Sequence, residues 1–179
     1  MQADPGNNYF ALFGLPESFE LDASELEARY RALQRRFHPD RHAGGSDADR
    51  RLAVQRAALV NEAFRTLKDP LLRGRYLLER SGVRVDDETD TRMDPEFLME
   101  QMTLREAVAE ARAADDPGAA LAALGADVAR RLAAATRALG THLAAGGARE
   151  LAAARERVRE MQFLYKLRDE IAALEDNLA

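Results

Sequence analysis

The chain has 179 residues, which is enough for one ordinary domain or two small ones. Without any cysteine it forms no disulfide and offers no thiolate to zinc or to an iron-sulfur cluster. The net charge of −5 is uneven, with 13 Lys/Arg against 12 Asp/Glu in residues 1–80 and 13 against 19 afterwards, which argues against nucleic acid as the main partner.

Helix formers dominate, and no run rich in β-branched residues stands out, so the composition predicts an all-α chain. Residues 8–13 are predicted to form a short helix that Gly14 ends. A second helix is predicted from an Asp22 cap to Phe37, and a third from a Ser46 or Asp47 cap to Lys68. Both carry apolar residues on one face, namely Leu26, Tyr30, Leu33 and Phe37 in the second helix and Ala53, Ala57, Val60, Phe64 and Leu67 in the third. Two such faces joined by the loop at residues 38–47 predict an antiparallel hairpin, with the short helix covering its open side.

The rest of the chain is predicted to be helical as well. A helix that follows Asp69-Pro70 stops at Gly82, and the acidic segment 83–94 is the expected linker. Three further helices are predicted over residues 95–114, from after Gly118 to about 145, and from 148 to about 178, with breaks at residues 115–118 and at Gly146-Gly147. The expected organisation is therefore an N-terminal domain at residues 1–82, a linker at 83–94 and a C-terminal three-helix bundle at 95–179.

The hairpin loop begins with the tripeptide His38-Pro39-Asp40, which by itself is also compatible with an ordinary Pro-Asp turn. A His-Pro-Asp tripeptide between two long helices resembles the signature of the J-domain family. The segments NYFALFGLP, LQRRFHPDR, AFRTLKDPLLRGRYLL and FLMEQMTLREA resemble one J-protein family in particular, HscB. The similarity extends over nearly the whole chain and is weakest between residues 113 and 147. It implies a J-domain, a C-terminal three-helix bundle, and a role in coupling a DnaK-type chaperone, HscA, to the iron-sulfur scaffold protein IscU.

The resemblance implies that His38, Pro39 and Asp40 contact the chaperone and trigger ATP hydrolysis there. The chain itself would then be no enzyme and would need no cofactor or metal. Four arginines of the second helix precede this loop and lie outside the apolar face of the helix: Arg29, Arg31, Arg35 and Arg36. They form either a solvated basic surface or a docking surface for an acidic region of the chaperone. Arg41 replaces the lysine that usually follows the tripeptide and retains its charge.

The helix predicted from Pro95 has apolar residues on two sides. Phe97, Leu104, Val108 and Ala111 share one face, whereas Leu98, Met99 and Met102 lie away from it. Either the helix is buried on both sides or it exposes an apolar patch suited to a partner. The resemblance implies that scaffold binding involves Leu98, Met99, Met102, Glu106 and Phe163. Phe163 is also compatible with the core of the last helix, and Thr103 stands where an acidic residue is expected in close relatives.

Other functions remain open at this stage. A general J-protein that delivers unfolded clients usually carries glycine-rich and zinc-binding cysteine regions, which are absent from this sequence. An enzyme or metal site would use His38, Asp40 and His42, and a structural protein would only dimerise through its helices. The sequence shows neither a signal peptide nor a membrane span, so a cytoplasmic protein without membrane or nucleic-acid partners is expected.

Overall fold

A computed structural model describes residues 8–38, 46–85 and 95–178 of the chain. These residues contain helices and no strand, which confirms the all-α prediction. The described helices are α1 (Tyr9–Phe13), α2 (Ala23–Phe37), α3 (Asp47–Lys68), α4 (Pro70–Arg80), α5 (Pro95–Ala113), α6 (Pro117–Ala145) and α7 (Gly147–Asp176). The chain forms two compact units, divided between Leu77 and Leu78.

Helices α2 and α3 pack against each other in the first unit, as predicted. The Asp22 carboxylate accepts hydrogen bonds from the Ser24 and Glu25 backbone N–H groups, and such a cap contributes about 1 kcal/mol. Ser46, rather than Asp47, caps α3. The Tyr30 and Phe64 rings stack with centroids 3.9 Å apart, which joins the middle of α2 to the C-terminal part of α3.

Helix α1 contacts both α2 and α3 and buries Phe10 and Phe13. Asn8 caps its first turn, and Gly14 ends it with a φ of 65°, a left-handed conformation that favours glycine. The backbone N–H of Tyr9 donates to the Tyr76 hydroxyl at 2.9 Å, so α1 is also tied to α4. The short helix therefore covers the hairpin as expected.

The apolar face predicted for α2 is less buried than its pattern indicates. Leu26 is buried, whereas Tyr30, Leu33 and Phe37 are only half-buried. Among the described helices, only α1 and α3 pack against α2, and α1 is only five residues long, so it covers only part of the hairpin. A periodic pattern identifies the inner face of a helix without showing how completely that face is covered.

Helices α5, α6 and α7 form the three-helix bundle predicted for the second unit, and each contacts the other two. Asp116 caps α6, and positive φ values at Gly146 and Gly147 mark the break before α7. The core contains side chains from all three helices, including Leu104, Val108, Leu121, Val128, Leu139, Val158, Met161, Leu164 and Ile171. The predicted linker lies mostly in residues 86–94, outside the described residues, so the exact domain boundaries stay a prediction.

Candidate functional site

The C-terminal half of α2 presents a basic surface. Arg29, Arg31, Arg35 and Arg36 are all exposed. Arg29 pairs with Glu25 at 3.0 Å and Arg31 with Glu27 at 3.8 Å, each one helical turn away. Exposed pairs of this kind contribute at most about 1 kcal/mol, so they leave the arginine side chains able to exchange partners at low cost.

His38 follows α2 as its C-cap, with extended backbone torsions, and it is exposed. Beside it, two guanidinium groups lie over the Phe37 ring, those of Arg36 at 5.4 Å and Arg56 at 5.6 Å from the centroid. A cavity of about 860 Å³ opens between α2 and α3 here. Its lining includes Arg31, Gln34, Arg35, Phe37, His38, Ala57, Val60 and Asn61. Pro39, Asp40, Arg41 and His42 lie outside the described residues.

A second surface lies on α5. Leu98, Met99 and Met102 are 42%, 65% and 58% exposed, and Glu106 is exposed beside them. On the other side of the helix, Leu104 and Val108 are buried against the bundle. Of the two arrangements compatible with the sequence, the structure has the one with an apolar face open to solvent. We call Leu98, Met99 and Met102 the α5 face.

Phe163 lies half-buried on α7 and meets Phe97 edge to face, with ring centroids 6.2 Å apart and planes at 88°. This geometry is favourable for aromatic pairs. Phe163 is therefore neither a closed core residue nor a fully exposed one. The Thr103 hydroxyl donates to the Met99 carbonyl at 3.0 Å, which is a bond within its own helix.

A cluster of charges joins the helices of the bundle next to this surface. Arg131 on α6 pairs with Glu100 on α5 and also donates from Nε to Asp127 at 2.7 Å. The hydrogen bond from Arg131 holds the pKa of Asp127 below its usual value and raises the pKa of Arg131. Burial raises the pKa of Glu160 on α7; Arg157 opposes this and Glu100 adds to it. No pattern in the sequence indicated this cluster.

The chain is similar to known proteins over most of its length. The model of the protein family described as HSCB C-terminal oligomerisation domain matches residues 93–172. A Vibrio cholerae protein named Co-chaperone protein HscB homolog is 47% identical over 176 residues, covering 96% of this chain and 98% of that protein. The chain belongs to the HscB co-chaperone family.

Solved structures of HscB proteins have the same fold. Chaperone HscB from Vibrio cholerae matches with a TM-score of 0.85 and 45% identity, covering 96% of this chain and 99% of that one. Human co-chaperone protein HscB matches with a TM-score of 0.86 and 30% identity, covering 98% and 85% of the two chains. The first unit is thus a J-domain and the second is the C-terminal helical domain of the HscB family, as the resemblance implied.

In residues 8–38, 46–85 and 95–178, no helix is both long and apolar enough to cross a membrane. Across the same part of the chain, no three His, Asp or Glu side chains are grouped as a metal site requires. A site formed by His38, Asp40 and His42 is not tested, because two of these residues lie outside the described part.

Proposed function

We propose that this protein stimulates the ATPase of a DnaK-type chaperone, HscA, and delivers the iron-sulfur scaffold protein IscU to it during cluster assembly and transfer. The observation that carries the proposal is the α5 face, where three large apolar side chains of one helix are exposed on the C-terminal domain. A J-domain alone needs no such surface. A dedicated delivery protein needs a second one for its cargo.

The chaperone would bind the J-domain along α2. Exposed Arg31 and Arg35 are suited to long-range attraction of an acidic surface, and His38 provides a polar ring at the end of the helix. The proline of the tripeptide restricts the backbone at the point where α2 must end. By resemblance we assign Pro39, Asp40 and Arg41 to the same contact, together with Arg29 and Arg36.

The scaffold would bind the α5 face. Unbranched methionine side chains adapt to a partner's shape, and an exposed apolar patch commonly marks an interaction surface. Glu106 lies on the same side of α5 and adds a negative charge at its edge. Phe163 supports the patch from α7 through its contact with Phe97, and we include it in the interface.

In this proposal the chemistry takes place on the chaperone, and the chain acts without an active site or cofactor of its own. We also propose a cytoplasmic location for the protein.

The test is a steady-state ATPase assay of the cognate DnaK-type chaperone with this chain, the scaffold, or both. Because one chain would hold both proteins, the two additions together should stimulate ATP hydrolysis by more than the sum of their separate effects. The L98A/M99A/M102A variant is the control, since it retains the J-domain and should lose only the synergy. Equal stimulation with and without scaffold would favour the alternative, a general J-protein that serves unfolded clients.

A further inference from the structure

The part of α5 that carries the α5 face has little core of its own. The first fully buried side chain of the helix is Leu104, and Val108 and Ala111 follow it. Residues 95–103 are half-buried at best. The apolar core therefore fixes the second half of α5 more firmly than the half that displays Leu98, Met99 and Met102.

Among the contacts that this first half makes with the other helices are an aromatic pair and an ion pair. One is the edge-to-face pair of Phe97 with Phe163 on α7. The other is the ion pair of Glu100 with Arg131 on α6. Glu100 lies between Met99 and Met102 in the sequence but faces the bundle, so its position and the direction of the α5 face are linked by the helix geometry.

Arg131 is held in place by its own helix. Its Nε donates to Asp127 at 2.7 Å one turn earlier, and Arg130 donates to the other Asp127 oxygen at 2.8 Å. The guanidinium has five donors in a fixed planar fork, so a bond to Asp127 leaves donors directed elsewhere. Those of Arg131 reach Glu100 on α5, whereas the Arg130 side chain is 71% exposed and pairs with Asp127 on its own helix.

We propose that Arg131 is a positioning residue for the scaffold interface: it fixes residues 95–103 against α6 and so sets the direction of the α5 face. The link to scaffold binding rests on the function proposed above. The positioning itself is a property of the free protein. When only part of the population presents a surface in the binding geometry, the apparent affinity falls in proportion to that part.

The test compares Arg131→Gln with Arg130→Gln. The two variants lose the same charge from adjacent residues and each removes one partner of Asp127, but only the first removes a contact with α5. Hydrogen exchange of the free protein should show protection at residues 99–103 reduced by about two- to fivefold in Arg131→Gln, the range expected for a half-exposed ion pair. Protection at residues 108–113 should not change, and Arg130→Gln should resemble the unmodified chain in both segments.

Scaffold affinity should follow the same order. Calorimetric titration with purified scaffold should give a Kd about two- to fivefold higher for Arg131→Gln and unchanged for Arg130→Gln. Carboxyl NMR provides an independent readout of the geometry. Loss of the Arg131 charge should raise the pKa of Glu160 further, and Glu100→Gln should lower it, because these two charges act on Glu160 in opposite directions.

Each result bears on one claim. If residues 99–103 lose protection in Arg131→Gln but the unmodified chain does not bind scaffold, the positioning stands and the proposed function fails. If scaffold binds and Arg131→Gln changes neither protection nor affinity, or if Arg130→Gln has the same effect, the positioning role is wrong. A uniform loss of protection across α5, α6 and α7 would also overturn it, because Arg131 would then stabilise the whole bundle.

Discussion

Replacing the α5 face with alanine should separate binding from stability. Leu98, Met99 and Met102 are 42%, 65% and 58% exposed, so about half of each side chain is available to a partner. Since burial of a whole Leu or Met is worth about 1.5–3 kcal/mol, covering these exposed parts would contribute about 1 kcal/mol each. The L98A/M99A/M102A variant should therefore lose about 3 kcal/mol of scaffold binding, which is about a hundredfold in Kd.

The same helix supplies a matched control for stability. Leu104 is 5% exposed, and Leu104→Ala should lower the free energy of unfolding by about 2–5 kcal/mol. We expect the triple variant to lose less stability than this single one, because its side chains already face solvent. Urea unfolding gives the stability and calorimetric titration gives the affinity.

Two outcomes would refute this reasoning. A triple variant that binds scaffold as the unmodified chain does would show that the α5 face is not the interface. A loss of stability greater than that of Leu104→Ala would show that the three side chains belong to the core.

Two further predictions concern charge. The R31E/R35E variant should bind the chaperone more weakly and with less dependence on salt, because it removes the electrostatic attraction that salt screens. The control variant R130E/R137E changes the net charge by the same amount in the other unit and should have little effect on binding. Measuring chaperone binding at several salt concentrations distinguishes the two variants. The second concerns Glu160, whose raised pKa means that the folded chain retains this proton more tightly than the unfolded chain. The contribution of Glu160 to stability is therefore present below pH 4.5, its ordinary pKa, and is lost as the pH rises through the folded value. Urea unfolding should show the unmodified chain losing stability relative to Glu160→Gln over that interval, and a difference independent of pH would contradict this.

Local signals in the sequence were sufficient for the helices. The Asp22 cap and the glycines at Gly14 and Gly146 act within one turn of the backbone, so they identify helix ends without knowledge of the tertiary structure. Even so, α6 begins at Pro117, inside the predicted break, because Asp116 caps its first turn, and α7 begins one residue earlier than predicted, at Gly147. Helix ends differ by a residue or two whenever two adjacent glycines can adopt either conformation.

The degree of burial was harder to predict, because it depends on which other helices are present. Phe37 was predicted in the core of the hairpin but is half-buried, since helix packing there comes from one side in the described residues. For Met99 the sequence left both arrangements open, and the structure shows that α6 and α7 cover only the opposite side of α5. Phe97, expected in the core, is half-buried and contacts Phe163 instead.

The pair of Glu100 and Arg131 gave no signal in the sequence. The two residues are 31 positions apart and lie on different helices, and charged residues are common in both. Only the packing of α5 on α6 brings them together. The roles of Pro39, Asp40 and Arg41 were inferred from resemblance and stay predictions, because they lie outside the described residues.

In the proposed function, the loop after α2 activates the ATPase of another protein. Of the tripeptide in this loop, the described part of the chain includes His38. The most direct measurement is the single-turnover rate of ATP hydrolysis by the cognate DnaK-type chaperone, with the unmodified chain and with His38→Gln at equal helix content. Because His38 is exposed at the end of α2, its replacement should leave the fold intact. We expect the unmodified chain to accelerate ATP hydrolysis by the chaperone and the His38→Gln variant to leave the rate unchanged. Equal acceleration by both chains, or no acceleration by either, would contradict the proposed activation.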